Sequence, residues 1–179
     1  MPLYWINGGS GTGKSSALLE LRQRGYETYD VDEAGPVTAK WHNIKTGYIH
    51  PKSSIKAHMR TPEFLEEHAW NVARQDVVDM AEKAKGRPIF LGGTIKNSNE
   101  ITDLFAKTFA LVVDNDTLKH RLLNRTNNDW GKSPHELKLA LEWNKNAFMA
   151  HAKKGHIIID AAQTVEKVVD EILSYLHED

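Results

Sequence analysis

The residues best suited to chemistry lie near the start of the chain, in Gly8-Gly9-Ser10-Gly11-Thr12-Gly13-Lys14-Ser15 with Ser16 directly behind. The run satisfies G-x-x-x-x-G-K-[ST] at every position, follows an apolar segment and precedes a helical pattern, the context in which this spacing holds phosphate. Glycines let backbone N–H groups ring phosphate oxygens with no side chain in the way, and the helix start adds partial positive charge. Lys14 is expected to reach the β- and γ-phosphates and the Ser15 hydroxyl to ligate magnesium. A bound nucleoside triphosphate is therefore expected on 8–16.

Two further clusters bear on that expectation. An apolar run ends in Tyr29-Asp30-Val31-Asp32-Glu33. In an extended chain Asp30 and Asp32 point the same way, into the crevice beyond the strand ends where ligands of open α/β sheets bind. One carboxylate suits magnesium through water and the other a substrate hydroxyl. Farther on, Leu118-Lys119-His120-Arg121-Leu122-Leu123-Asn124-Arg125 sets Arg121 and Arg125 four apart, on one helical face, where both can converge on a polyphosphate. Lys132 follows in the same segment. The competing readings are an accidental glycine-rich turn, a solvated acidic loop and an exposed basic helix face. The histidines form no H-E-x-x-H, so no zinc is expected. Asp114 and Asp160 end apolar runs and are expected to cap helices or close turns.

The elements that must position these groups are short apolar runs at 3–7, 27–31, 88–91, 108–113 and 156–160, alternating with segments of helical period. The alternation predicts an α/β protein with a mainly parallel sheet, and near-continuous apolar runs such as Ile157-Ile158-Ile159 predict strands covered on both faces. A helix over 15–24 stops at Gly25. A long helix follows Thr61-Pro62, with Trp70, Ala73, Val77, Met80, Ala81 and Ala84 at spacings of three and four, and ends at Gly86. Ser133-Pro134-His135-Glu136 reads as a capping box with proline at the first helical position. The last helix carries Val165, Val168, Val169, Ile172, Leu173 and Leu176. The irregular stretch 34–59 is long for a plain connection and is expected to bind something. A second polar stretch, 124–133, includes Asn127, Asn128, Asp129 and Gly131.

Composition excludes several classes. The 179 residues are 40% hydrophobic and 26% charged, which suits one globular domain and not a disordered chain. Lys plus Arg number 23 against 24 Asp plus Glu, a net charge of -1, so no global basic field exists and no nucleic-acid partner is expected. With no cysteine, disulfides, thiolate zinc sites and thiol nucleophiles are excluded. No apolar run approaches the roughly 18 residues of a membrane helix, and the N-terminus lacks the basic opening of a signal peptide. A soluble, cytoplasmic monomer or homodimer is expected.

Taken in order, the 8–15 loop, Asp30-Val31-Asp32 and Gly92-Gly93 after the third apolar run resemble small P-loop kinases of the nucleoside monophosphate kinase group, and most closely shikimate kinase. The resemblance covers nearly the whole chain. It implies a three-layer P-loop NTPase fold with a five-stranded parallel sheet ordered 2-3-1-4-5, an acceptor-binding insert over 34–60 and a lid over 117–142. It implies ATP and magnesium as cofactors and phosphoryl transfer to a small-molecule acceptor. Carried over, Lys14, Asp30, Asp32, Arg121 and Arg125 are catalytic. Asp30 joins Ser15 at magnesium, Asp32 binds the acceptor hydroxyl, and Gly92 and Gly93 line its pocket. Arg121 and Arg125 open the lid, with Arg121 also on the nucleotide, and 161–163 seats the adenine.

Acceptor choice falls to the stretch between the acidic pair and the long helix. Shikimate kinases place arginines there at set spacings to clamp a carboxylate, whereas this chain offers only Arg60 and Arg74 in a different pattern. Arg60 is the best candidate for an anionic acceptor. His50-Pro51-Lys52-Ser53-Ser54-Ile55 is similar to part of the gluconate kinase substrate region, but there the string sits immediately behind the aspartate. Trp41 and Tyr48 offer rings for stacking, which favours a nucleoside or nucleotide over a shikimate- or gluconate-type polyol. Trp70 is expected in the long helix's core stripe. A triphosphatase switch is disfavoured because Phe90-Leu91-Gly92-Gly93 carries no acid. A regulatory binding module leaves Lys14, Ser15 and both arginines surplus.

Overall fold

The computed structural model describes residues 2–52, 54–126 and 129–176. Ser53 of the 50–55 string and Asn127 and Asn128 of the second polar stretch therefore lie outside the described residues. Strand β1 (Leu3–Asn7) is buried at every position, and its alternation builds two cores at once. Leu3 and Trp5 pack with Val77, Met80, Ile89 and Leu91, while Tyr4 and Ile6 pack with Leu18, Leu21, Phe90, Phe109 and Val169 on the other face.

Along the chain follow α1 (Lys14–Gln23), β2 (Glu27–Asp30), β3 (Lys40–Asn43), α2 (Pro62–Glu67), β4 (His68–Asn71), α3 (Arg74–Lys83) and β5 (Ile89–Gly92). Then come β6 (Lys107–Val112), α4 (Asn115–Asn124), α5 (Pro134–Lys145), α6 (Ala147–Lys153), β7 (Ile157–Asp160) and α7 (Val165–Ser174). Five strands form one parallel sheet in the order β2-β5-β1-β6-β7. Chain numbering thus departs from 2-3-1-4-5 because β3 and β4, which were not expected, intervene; among sheet strands alone the sequence of neighbours is second, third, first, fourth, fifth. α1 and α7 cover one face and α3 packs on the other, giving three layers.

Two local expectations are overturned. The long helix does not exist: α2 stops at Glu67 and the chain runs extended through β4 before α3 begins. Here tertiary pairing overrides a helical spacing. β4 pairs antiparallel with β3, Trp41 opposite Trp70, and Trp70 O accepts from Lys96 N at 2.9 Å. The Asn97 side chain also bonds both the N–H and the carbonyl of Val72. Val77 and Met80 do face the core from α3; Trp70 does not lie on a helix. Second, the capping box is not made: the Ser133 side chain makes no capping bond, and the Glu136 carboxylate is drawn into a buried ion pair described below.

Among the described residues no helix is long and apolar enough to cross a membrane. The end of α1 is set as its sequence suggests, with Gly25 at φ +92 and Tyr26 N returning to Leu21 O at 3.0 Å.

Gly93 follows β5 at φ +155, and a Cβ there would fall 2.2 Å from Cγ2 of Val31, whose branched side chain has little rotamer freedom. Gly93→Ala is therefore expected to cost about 1–3 kcal/mol through overpacking. Urea titration reads this as a lower midpoint at constant slope; an unchanged midpoint would contradict the packing argument.

Candidate functional site

The loop after β1 is shaped by what its glycines permit. Gly8, Gly11 and Gly13 take φ values of +142, +90 and +106. A Cβ on Gly8 would come within 2.6 Å of Leu111 O, and one on Gly11 within 3.0 Å of Leu122. Thr12, fully buried, closes the turn by donating from Oγ1 to Gly9 O at 2.9 Å. The first N–H groups of α1 then have no intrahelical acceptor, which suits an anion at this end. Lys14 is buried and its Nζ donates to Gly9 O at 2.8 Å. Burial pulls its pKa below the ordinary lysine value, against the charges of Asp32 and Asp30.

β2 delivers the acidic pair beside this loop. Asp30 is buried and accepts from Ser15 Oγ at 2.8 Å through one oxygen and from Asp32 N at 3.0 Å through the other. Asp32 keeps a solvent-facing surface within the cleft while protein surrounds the rest of it, and Trp70 Nε1 donates to its Oδ1 at 3.0 Å. Desolvation and the Asp30 charge push the Asp32 carboxyl above the usual carboxylate range, while Lys14 and the Trp70 bond pull it back. Ser15 and Asp30 supply hard oxygen donors at the loop, the set that suits magnesium. Among the described residues no group of three His, Asp or Glu could cage a metal alone, so a magnesium ion here would complete its shell from nucleotide and water.

α4 brings the arginines. Leu118 and Leu122 pack its inner face close to Gly11. Arg121 donates to Thr12 O at 3.1 Å and to Ala161 O at 2.9 Å, linking the loop to the turn after β7. Arg125 donates to Ser10 Oγ at 3.0 Å and to Trp130 O, and its Nε is buried without a partner. Burial lowers the Arg125 pKa, opposed first by Asp32.

No family model matches the sequence, and no curated protein matches it. Solved structures do match. A shikimate kinase from Bacteroides thetaiotaomicron superposes with a TM-score of 0.57 at 18% identity, covering 97% of each chain. A gluconokinase from Sinorhizobium meliloti 1021 gives 0.53 at 18%, over 97% of this chain and 90% of that one. A deoxyadenosine kinase from M. mycoides with bound dATP gives 0.52 at 15%, over 98% and 100%. The chain has the fold of the P-loop small-molecule kinases.

Within that fold the structure gathers Lys14, Ser15, Asp30, Asp32, Arg121 and Arg125 around one loop. Arg60 is not among them. Its Nε pairs with Glu136 at 2.7 Å and its Nη2 with Asp129 at 2.9 Å, and its Cζ lies 5.6 Å from the Trp130 ring centre. The guanidinium of Arg60 is thus held by two carboxylates, away from the glycine loop. Arg74 is likewise held, bidentate, by Asp103. At Gly92 and Gly93 the place a side chain would take is filled by Leu18 and Val31, which ties the pair to close packing against α1 and the residue after β2. Lys132 lines a cavity of about 310 Å³ with Arg60, Pro62 and His135, to which no loop residue contributes. Asp114 caps α4 through Thr117 N, and Asp160 accepts from Ala162 N, both as expected.

Three contributors were not read from the sequence as part of the site. Trp70 was assigned to a core stripe, and only the β3–β4 pairing turns its indole toward Asp32. Thr94 donates to Gly8 O. Lys52 meets the charges of Asp32 and Asp30; its one signal was its place in the His50-Pro51-Lys52 string.

Breaking a buried ion pair from one side strands the other charge. Arg60→Met should therefore cost about 3–5 kcal/mol, since Glu136 is 2% exposed, and adding Glu136→Leu should recover part of it. Chemical denaturation of the single and double variants measures this. Full stability in Arg60→Met would return Arg60 to the acceptor role.

Proposed function

We propose that the protein transfers the γ-phosphoryl group of ATP to a hydroxyl of a small-molecule acceptor. The observation that carries this reading is Asp32, held by Trp70 in the cleft and facing Lys14 of the glycine loop. Segment 34–60 would form the acceptor side and 117–142 the lid. Nucleosides or nucleotides are the leading acceptors, since the Trp41 and Trp70 rings, 5.2 Å apart, form an aromatic wall beside Asp32. Shikimate- or gluconate-type polyols are second.

Asp32 orients the acceptor hydroxyl and takes its proton as the acceptor oxygen bonds to the γ-phosphorus. The bond from that phosphorus to the β,γ-bridging oxygen breaks, and ADP leaves with the electron pair. Lys14 and Arg125 offset the charge that spreads over the phosphoryl oxygens, and Arg121 ties the nucleotide loop to the turn after β7. Ser15 and Asp30 would hold magnesium, which supplies further neutralisation of the phosphates when bound. Excluding water as the arginines close protects the transfer from hydrolysis.

The test is magnesium-dependent ADP release from ATP with pooled nucleosides, nucleotides, shikimate, gluconate and other sugars. Acceptor-dependent release is expected, and Lys14→Ala is expected to abolish it in a folded protein. Release without any acceptor would indicate a triphosphatase, and tight ATP binding with no product under any acceptor a binding module.

Asp32→Asn should lower kcat by about 10²–10⁴-fold, the usual contribution of a positioned base. Because Asp32 must be ionised and its pKa is raised, the acid limb of kcat/KM should lie above the roughly 3.9 of a free aspartate. Trp70→Phe removes a donor that favours the ionised form, so the limb should move further up in pH. A limb that stays put or moves down in that variant would separate Asp32 from proton transfer.

A further inference from the structure

The irregular segment after β3 turns back along it. Asn43 N donates to Tyr48 O and His50 N donates to Trp41 O, each at 2.8 Å, and His42 bridges Ile49. This antiparallel return carries Lys52, two residues later, toward the end of the hairpin where β3 begins. The charges acting on it there are Asp32, Asp30 and Glu33, with Lys40 opposing.

Lys52 Nζ is closed off from solvent and has no hydrogen-bond partner among the described residues. An ammonium carries three donors, and leaving them unaccepted in a closed site is costly. Its neighbours do not relieve it. Ser15 and the Asp32 N–H occupy the two oxygens of Asp30, and Trp70 occupies Oδ1 of Asp32. Other cations near the site have acceptors: Lys14 on Gly9 O, Arg60 on Glu136 and Asp129, Arg74 on Asp103. Burial further lowers the pKa of Lys52, so its charge needs a counter-charge to be kept.

We infer that Lys52 determines specificity for a hydroxylated anion, bonding a carboxylate or phosphate group of the acceptor whose hydroxyl rests on Asp32. The inference builds on the phosphoryl-transfer reading above and narrows its acceptor. Lys52 also offsets the repulsion that Asp32 and Asp30 would exert on such an anion. A neutral analogue of the same shape leaves the ammonium unpaired, and sites that strand a buried polar group discriminate strongly.

Matched pairs test this, the nucleoside pairs keeping a free 5′-hydroxyl: gluconate against sorbitol, shikimate against its methyl ester, adenosine 3′-monophosphate against adenosine, and deoxycytidine 3′-monophosphate against deoxycytidine, each with magnesium and ATP. The anionic member of a pair should be the one used. Lys52→Met should raise KM for that acceptor by about 10–100-fold, the worth of a charge-assisted bond, leave KM for ATP unchanged, and be partly restored in Lys52→Arg. The sugar-acid and nucleotide pairs distinguish carboxylate from phosphate. Equal or better use of the neutral members overturns the inference and leaves the kinase reading standing. So does a Lys52→Met variant that loses kcat at unchanged acceptor KM, which would place the ammonium on the transferring group. ADP release that no acceptor stimulates removes the kinase reading and the inference with it.

Discussion

A buried ammonium at the end of a parallel strand is the constraint on which the rest of this structure turns. Lys14 sits 8% exposed at the first turn of α1, with a backbone carbonyl as its hydrogen-bond partner. A charge so placed is tolerable only with opposite charge nearby. β2 supplies it, because β2 lies beside β5, which lies beside β1, and this brings Asp30 and Asp32 to the same end of the sheet as the loop. The loop, in turn, can bend back over Lys14 only because Gly8, Gly11 and Gly13 take backbone angles that side chains disfavour. Sheet order, glycine placement and charge balance are therefore one arrangement.

The division of labour between the two aspartates follows from their bonds. Asp30 accepts from Ser15 through one oxygen and from the backbone of Asp32 through the other, so it is a fixed part of the loop's oxygen set. Asp32 is held at one oxygen by an indole N–H and remains exposed to solvent. Two carboxylates in neighbouring environments are thus pushed apart in role, and the one left to face the cleft is the one whose pKa burial raises.

The segments on either side of the cleft are joined to each other as well as to the sheet. Arg60, just before α2, reaches Asp129 and Glu136, and Glu136 also accepts from Gly131 N at 2.9 Å. Arg125 meanwhile reaches the loop through Ser10 and the same polar stretch through Trp130. A shift of one segment must therefore disturb the bonds of the other, a direct mechanical link between the segment that carries Arg60 and the segment that carries Arg125.

Much was legible in the sequence wherever the physics was local. The glycine loop, the strand that precedes it, the acidic pair at the end of β2, the Asp114 cap and the Gly25 helix end each depend on residues within a few positions of one another. Where the partner lay far along the chain, local pattern misled. Trp70 had the spacing of a helical core residue, but pairing with Trp41 made it strand. Glu136 had the spacing of a capping residue, but Arg60 claimed it. By itself the sequence determined the glycine loop and the charges placed around it, because backbone freedom and charge type reside in the residues that provide them. Only the tertiary structure decided which indole bonds Asp32 and that the Lys52 ammonium is buried without a partner among the described residues, because both depend on strands paired across dozens of residues.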